Sequence, residues 1–140
     1  MIKSWGPFIL ATSCLIVILF MVTNNSLKIP SIKSLNGHWI GKHQNYEIIL
    51  EIKENNKCSL EFRVTSSNEV ENFNGDCTID NSKKPYSFIM TNIIELNTSI
   101  YSLVALRDNN IIHMSEFSTK WRLRPVSLTY ENTIIFKRYI

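Results

Sequence analysis

Glycine is scarce in this sequence, with four residues among 140. None of the four belongs to a G-x-x-x-x-G-K-[ST] or G-x-G-x-x-G pattern, so the common phosphate-binding loops of nucleotide cofactors are absent from the sequence. The strained G-x-S-x-G turn that presents a hydrolase serine is also missing. The sequence therefore predicts a protein that binds no cofactor and catalyses no reaction.

Charge is missing from one long stretch, the 17 residues 7–23. As a helix this stretch spans about 25 Å, and with residues 1–6 and the interfacial Trp5 it is long enough to cross a bilayer. No small-x-small cleavage site follows, which favours a retained anchor over the alternative, a cleaved signal peptide. We predict a membrane anchor over residues 1–25 and a polar tether over residues 26–34.

The excess of positive charge lies entirely before Leu35. Three of the fifteen lysines and arginines precede that residue, and the other twelve equal the twelve acidic residues that follow it. The predicted domain over residues 35–140 is therefore neutral, which argues against nucleic-acid binding. Lysines flank both sides of the uncharged stretch, so the positive-inside count does not orient the domain.

Cysteine is rare as well, and two of the three cysteines bracket a predicted hairpin. A register that places Cys58 opposite Cys77 also places Phe62 opposite Phe73, with polar pairs on the other face. Opposed strand residues lie close enough for a disulfide, which forms in an oxidising compartment. This predicts an extracytoplasmic domain; two buried thiols in a reducing compartment are the alternative.

Alternation of apolar and polar residues predicts an all-β domain. The turn over residues 54–56 sets Ile52 against Cys58 and Leu50 against Leu60, so that apolar residues meet. Strands are predicted around Trp39 and over residues 46–53, 58–64, 71–79, 86–91, 99–107, 111–117 and 133–139. About eight strands with short connections favour an antiparallel meander that closes into a barrel.

A series of short motifs carries a family resemblance. In order, they are Leu35-x-Gly37-x-Trp39, Gly75-x-x-x-Ile79-Asp80-x-x-Lys83-Lys84-Pro85, Ile100-Tyr101, Asp108-Asn109 and Arg124-Pro125. The chain resembles lipocalin-type barrels, and more specifically an uncharacterised lipocalin-like bacterial family described from planctomycetes. The resemblance implies that Gly37 and Trp39 close one barrel end, with Arg138, Arg124 or Arg122 as the cation over the indole. It implies no reaction.

Three histidines are the candidates for metal ligands. His38 and His43 are separated by an odd number of positions, so a strand without a bulge places them on opposite faces. His113 lies near Glu116 in the sequence. We predict no metal site.

The segment around Trp121, Arg122 and Arg124 combines aromatic and cationic side chains. One interpretation is structural, with Trp121 packed over the open end of the barrel and the arginines solvated or paired. The other is a rim that binds an acidic head group or a partner, because arginine holds carboxylates and phosphates at two points.

Together these inferences predict a membrane-anchored extracytoplasmic β-barrel module, held in the lipid bilayer by its N-terminal helix. The module binds a small apolar or amphipathic ligand or docks onto a membrane complex. An accessory subunit without a ligand, and a hydrolase or metal enzyme on the same barrel, are the alternatives. An apolar cavity favours binding, convergent titratable groups favour catalysis, and a filled barrel with an exposed apolar patch favours the accessory subunit.

Overall fold

The computed structural model describes residues 29–139. Their strands are β1 (Gly37–His43), β2 (Tyr46–Ile52), β3 (Lys57–Val64), β4 (Val70–Asp80), β5 (Tyr86–Thr91), β6 (Ile100–Leu106), β7 (Ile111–Ser115) and β8 (Thr133–Tyr139). Each strand pairs with its neighbour in sequence, and β8 pairs antiparallel with β1, so the sheet closes into a barrel. The predicted all-β, eight-stranded antiparallel barrel is thereby confirmed.

The predicted anchor, residues 1–25, lies outside the described residues. Between residues 29 and 139 no helix is long and apolar enough to cross a membrane. The described end of the predicted tether lies against the barrel, where Pro30 is buried and Ile32 packs on the core. A 3-10 helix over Lys33–Leu35 then leads into β1, and its last residue, Leu35, is fully buried.

The β2–β3 hairpin has the predicted register. Ile52 pairs with Cys58 and Leu50 with Leu60, and the apolar side chains of both pairs are buried. Asn56 adopts a φ of 61°, a left-handed conformation that asparagine tolerates in tight turns. The alternation and the turn residues were therefore sufficient to determine this pairing.

The β3–β4 pairing differs from the prediction by two residues. Cys58 faces Gly75 instead of Cys77, and Leu60 faces Phe73. A shift by two keeps every side chain on its predicted face, since strand side chains alternate with period two. The predicted pairing of Phe62 with Phe73 is therefore wrong: Phe62 faces Glu71, and Phe73 faces Leu60, which was predicted to face Gly75.

Cys58 and Cys77 still lie together after this shift. Their Cα atoms are 6.0 Å apart and their sulfurs are at disulfide distance, with the two cysteines as diagonal neighbours across β3 and β4. Both side chains are buried in the core. The predicted Cys58–Cys77 pair is confirmed, although the residues are not directly opposed.

A bulge interrupts the pairing of β6 with β7. The Ser115 hydroxyl accepts the Leu103 N–H at 2.8 Å in place of a backbone carbonyl, and pairing resumes between Tyr101 and Ser118. β7 ends at Ser115 instead of residue 117 for this reason. Glu116 continues the inward face of Ile112 and Met114, and one extra residue after β7 brings Phe117 to the barrel interior as well.

Candidate functional site

The two ends of the barrel differ in how they are filled, and the closed end is built on Trp39. Its indole is fully buried, and Nε1–H donates to the Leu35 carbonyl at 2.7 Å. Arg138, opposite Trp39 on β8, places its guanidinium carbon 4.1 Å from the centroid of the indole. Of the three arginines considered for this position, Arg138 is the one that occupies it.

Backbone carbonyls hold the Arg138 guanidinium in place. Its nitrogens donate to Ser34 at 3.1 Å, to Asn109 at 2.8 Å and to Asn36. Gly37 has a φ of +125°, which a residue with a side chain rarely adopts, and a Cβ here would lie 2.7 Å from Arg138 Nη1. Glycine at this position therefore has two physical causes, and the closed end is a structural plug.

At the other end of β1 the barrel opens into a cavity of about 400 Å³, which we call the open-end cavity. It is lined by His43, Gln44, Tyr46, Ile48, Phe62, Glu71, Phe73, Leu96, Ile100, Glu116, Phe117, Ser118, Thr119 and Ile134. This volume falls within the range of about 300–1,000 Å³ that small-molecule sites occupy.

Aromatic rings form much of the cavity wall. Phe62 is central, with ring centroids 6.2 Å from Tyr46, 6.1 Å from Phe73 and 5.9 Å from Phe117, all in edge-to-face arrangements. Phe117 also contacts Phe136, which is fully buried deeper in the barrel. Phe62, Phe73 and Phe117 are only partly buried, so they offer apolar surface to a bound molecule.

A histidine and a glutamate meet at the cavity wall. His43 Nε2 lies 2.7 Å from Glu116 Oε1, although 73 positions separate the two residues in the chain. The side chain of His43 is 20% exposed and that of Glu116 is 47% exposed, so the pair lies at the border between cavity and solvent. Glu71 lines the cavity as a second carboxylate. Alternation from the buried Ile112 and Met114 places Glu116 on the inward face, but no local signal pairs it with His43, because the two residues meet only through closure of the barrel.

The three histidines are dispersed around the barrel. His38 points outward, 3.9 Å from Glu51, whereas His43 faces the cavity, as predicted for an odd separation. His113 accepts a hydrogen bond from Arg107 Nε at 3.2 Å, and burial, followed by the Arg107 charge, lowers the pKa of His113. No cluster of three potential metal ligands occurs among residues 29–139.

Trp121 and Arg124 line a separate groove on the outer wall, which we call the Trp121 groove. The Trp121 ring packs edge-on against Tyr101 with centroids 5.1 Å apart, and the Arg124 guanidinium carbon lies 3.7 Å from the indole centroid. Tyr101 follows the cavity-lining Ile100 and thus points outward. Trp121 therefore covers β6 from outside. It does not pack over the open end of the barrel, as the structural interpretation of this segment expected.

The groove has a volume of about 330 Å³, and three of its four charged lining residues are cationic. It is lined by Asp80, Lys83, Lys84, Pro85, Ser87, Trp121, Arg124 and Val126. Hydrogen bonds from Ser82 hold the pKa of Asp80 below its ordinary value, and the charges of Lys83 and Arg124 act in the same direction. Arg122, in the 3-10 helix Trp121–Leu123, is exposed and does not line the groove in the described structure.

No family model, curated protein or solved structure matches this chain. The likeness to lipocalin-type barrels consequently stays a prediction from the sequence motifs. The geometry of the open-end cavity and of the Trp121 groove is the basis for any functional assignment.

Proposed function

We propose that this protein binds a small apolar or amphipathic molecule in the open-end cavity. The observation that carries the proposal is the cavity itself, about 400 Å³ in volume and walled by the partly buried rings of Phe62, Phe73 and Phe117. A largely apolar pocket with a few placed polar groups is typical of small-molecule sites. The closed end supports this assignment, because its plug leaves the opposite end as the entrance.

The chemistry of the cavity favours binding over catalysis. His43 and Glu116 form a close pair, but covalent catalysis through such a pair needs a nucleophilic side chain within hydrogen-bond reach. The nearby Ser118 directs its hydroxyl to the Lys120 carbonyl at 3.0 Å. The pair thus has the character of a polar contact at the mouth of a binding site.

The proposed location is the extracytoplasmic face of a membrane. The uncharged stretch over residues 7–23 supports an anchor, and the Cys58–Cys77 pair supports an oxidising compartment. A barrel held at a bilayer has direct access to amphipathic molecules.

A photolabelling experiment on the full chain tests the cavity assignment. The chain is reconstituted in phosphatidylcholine nanodiscs with an alkyl alcohol that carries a diazirine, and labelled peptides are identified by mass spectrometry. We expect labelling in the segments that contain Phe62, Phe73 and Phe117. Labelling confined to membrane-embedded segments would contradict the proposal.

Two substitutions in one loop provide a matched control for the labelling experiment. Leu96 lines the cavity, whereas Ile94 is 93% exposed nearby. Leu96→Trp should obstruct the cavity and reduce the labelling, and Ile94→Trp should leave it unchanged.

A second candidate function is docking of the Trp121 groove onto acidic lipid head groups. Lys83, Lys84 and Arg124 line the groove, and the neighbouring Leu123 and Val126 are 70% and 78% exposed. Cations beside exposed apolar side chains suit the surface of an anionic bilayer.

Capture of the nanodisc-embedded chain on phosphatidylglycerol vesicles tests this second function. Lys84→Gln combined with Arg124→Gln should weaken the capture, most strongly at low salt. The control, Arg122→Gln, changes a cation on the same turn that does not line the groove. Equal capture of all variants would exclude the groove as a head-group site.

A further inference from the structure

Most of the charged groups that line the open-end cavity are carboxylates. Glu71 and Glu116 contribute two of them, and no lysine or arginine is present among the described lining residues. Glu71 and Phe73 lie two positions apart on β4, so their side chains share the cavity-facing side of the strand. The negative groups therefore stand directly beside the aromatic wall.

His43 does not reverse the sign of this charge. It contacts Glu116 at 2.7 Å, and a protonated imidazole would neutralise one carboxylate. With His43 protonated the cavity keeps one negative charge in excess, and with His43 neutral it keeps two. A ligand with an anionic head group would meet repulsion and find no basic partner.

The aromatic rings act in the same direction as the carboxylates. The faces of phenylalanine and tyrosine rings attract cations, and Tyr46, Phe62 and Phe117 stand around the space that a ligand would occupy. The two carboxylates set the cavity apart from the domain as a whole, which contains as many basic as acidic residues.

We propose that the open-end cavity selects amphipathic molecules with a cationic head group, an alkyl or aryl amine or a quaternary ammonium. The apolar part would lie against Phe62, Phe73 and Phe117, and the cation would lie between the rings and the carboxylates of Glu71 and Glu116. This inference rests on the proposed function and adds the class of ligand to it.

Competition between three matched probes tests the selectivity. The full chain in phosphatidylcholine nanodiscs is labelled with the neutral diazirine alcohol while octylamine, octanol or octanoate is added at increasing concentration. We expect octylamine to suppress labelling of the cavity segments at a concentration about tenfold below that of octanoate, with octanol between them. Suppression by octanoate at an equal or lower concentration than octylamine would overturn the inference.

Variants that lack carboxylates test which residues cause the selectivity. Glu71→Gln combined with Glu116→Gln should bring the octylamine and octanoate curves together and leave octanol unchanged. The control, Glu54→Gln combined with Glu131→Gln, removes two exposed carboxylates that do not line the cavity and should preserve the preference. A preference that survives the loss of Glu71 and Glu116 would overturn the inference.

The outcomes separate this inference from the proposed function. Equal suppression by all three probes would overturn the cationic selectivity and leave the binding function intact. An absence of labelling in the cavity segments of the unmodified chain would overturn both.

Discussion

The closed end and the open end of this barrel are built from the same strands, but one is filled by side chains and the other encloses a cavity. At the closed end, Trp39 and Arg138 direct their donors at backbone carbonyls and fill the interior. At the open end, the rings of Phe62 and Phe117 pack edge-to-face and line an accessible space. The plug that stabilises the barrel and the proposed binding site thus lie at separate ends, so each should be changeable alone.

The largest expected effect comes from removing the plug. Trp39→Ala should lower the free energy of unfolding by about 3–5 kcal/mol, because it deletes a fully buried indole. Phe73→Ala at the open end should cost about 1–2 kcal/mol, because this ring is only partly buried. Urea unfolding of the full chain followed by circular dichroism provides both values. Equal losses of unfolding free energy for the two variants would show that the two ends contribute equally to stability.

The second expected effect concerns the Cys58–Cys77 pair. Replacement of both cysteines by alanine should cost about 2–4 kcal/mol, since a bond across a separation of 19 residues restricts the unfolded chain. Unfolding with and without a reductant measures the effect, and labelling of free thiols before and after reduction shows whether the bond exists. If reductant leaves the unfolding curve of the unmodified chain unchanged, the pair contributes as buried thiols.

A third prediction compares two arginines. Arg138→Gln should cost about 1–3 kcal/mol, because it removes donors from the carbonyls of Ser34, Asn36 and Asn109 and uncovers the indole. Arg122→Gln should cost less than about 0.5 kcal/mol, because Arg122 is exposed. Thermal unfolding of the two variants side by side checks the difference. A similar shift in Tm for both variants would show that Arg138 does not stabilise the plug.

The smallest expected effect is a dependence of stability on pH through His113. Burial, followed by the Arg107 charge, lowers the pKa of His113 below its ordinary value of 6.5. The unfolded chain therefore takes up the proton first, so the stabilising contribution is complete above pH 6.5 and is lost as the pH falls below it. His113→Gln should flatten the dependence of the unfolding midpoint on pH between about 7.5 and 5.5.

Arg107→Gln serves as the control for that titration. It removes the cation and the N–H that His113 accepts, so the pKa of His113 should rise and part of the pH dependence should disappear. An NMR titration of the His113 ring protons gives the pKa directly. Identical pH profiles for the unmodified chain and both variants would contradict the assignment.

Sequence reasoning succeeded where neighbours along the chain decide the structure. The bounds of β5 and β8 and the β2–β3 register followed from alternation and turn residues. The β3–β4 register was wrong by two residues because both registers bury the same faces, so alternation does not distinguish them. The bulge at Ser115 has no local signal, which is why the inward position of Phe117 was not predicted.

The sequence by itself determined the strands, the residues that face inward except near the bulge, and the cysteines that come together. These features depend on period-two alternation and on short turns, whose energetics are local. Only the tertiary structure decided that Arg138 covers Trp39, that Trp121 lies on the outer wall and that His43 meets Glu116. Each of these contacts joins side chains that are distant in sequence. The closure of β8 against β1 brings Arg138 to Trp39 and Glu116 to His43, and Trp121 lies on Tyr101 of β6.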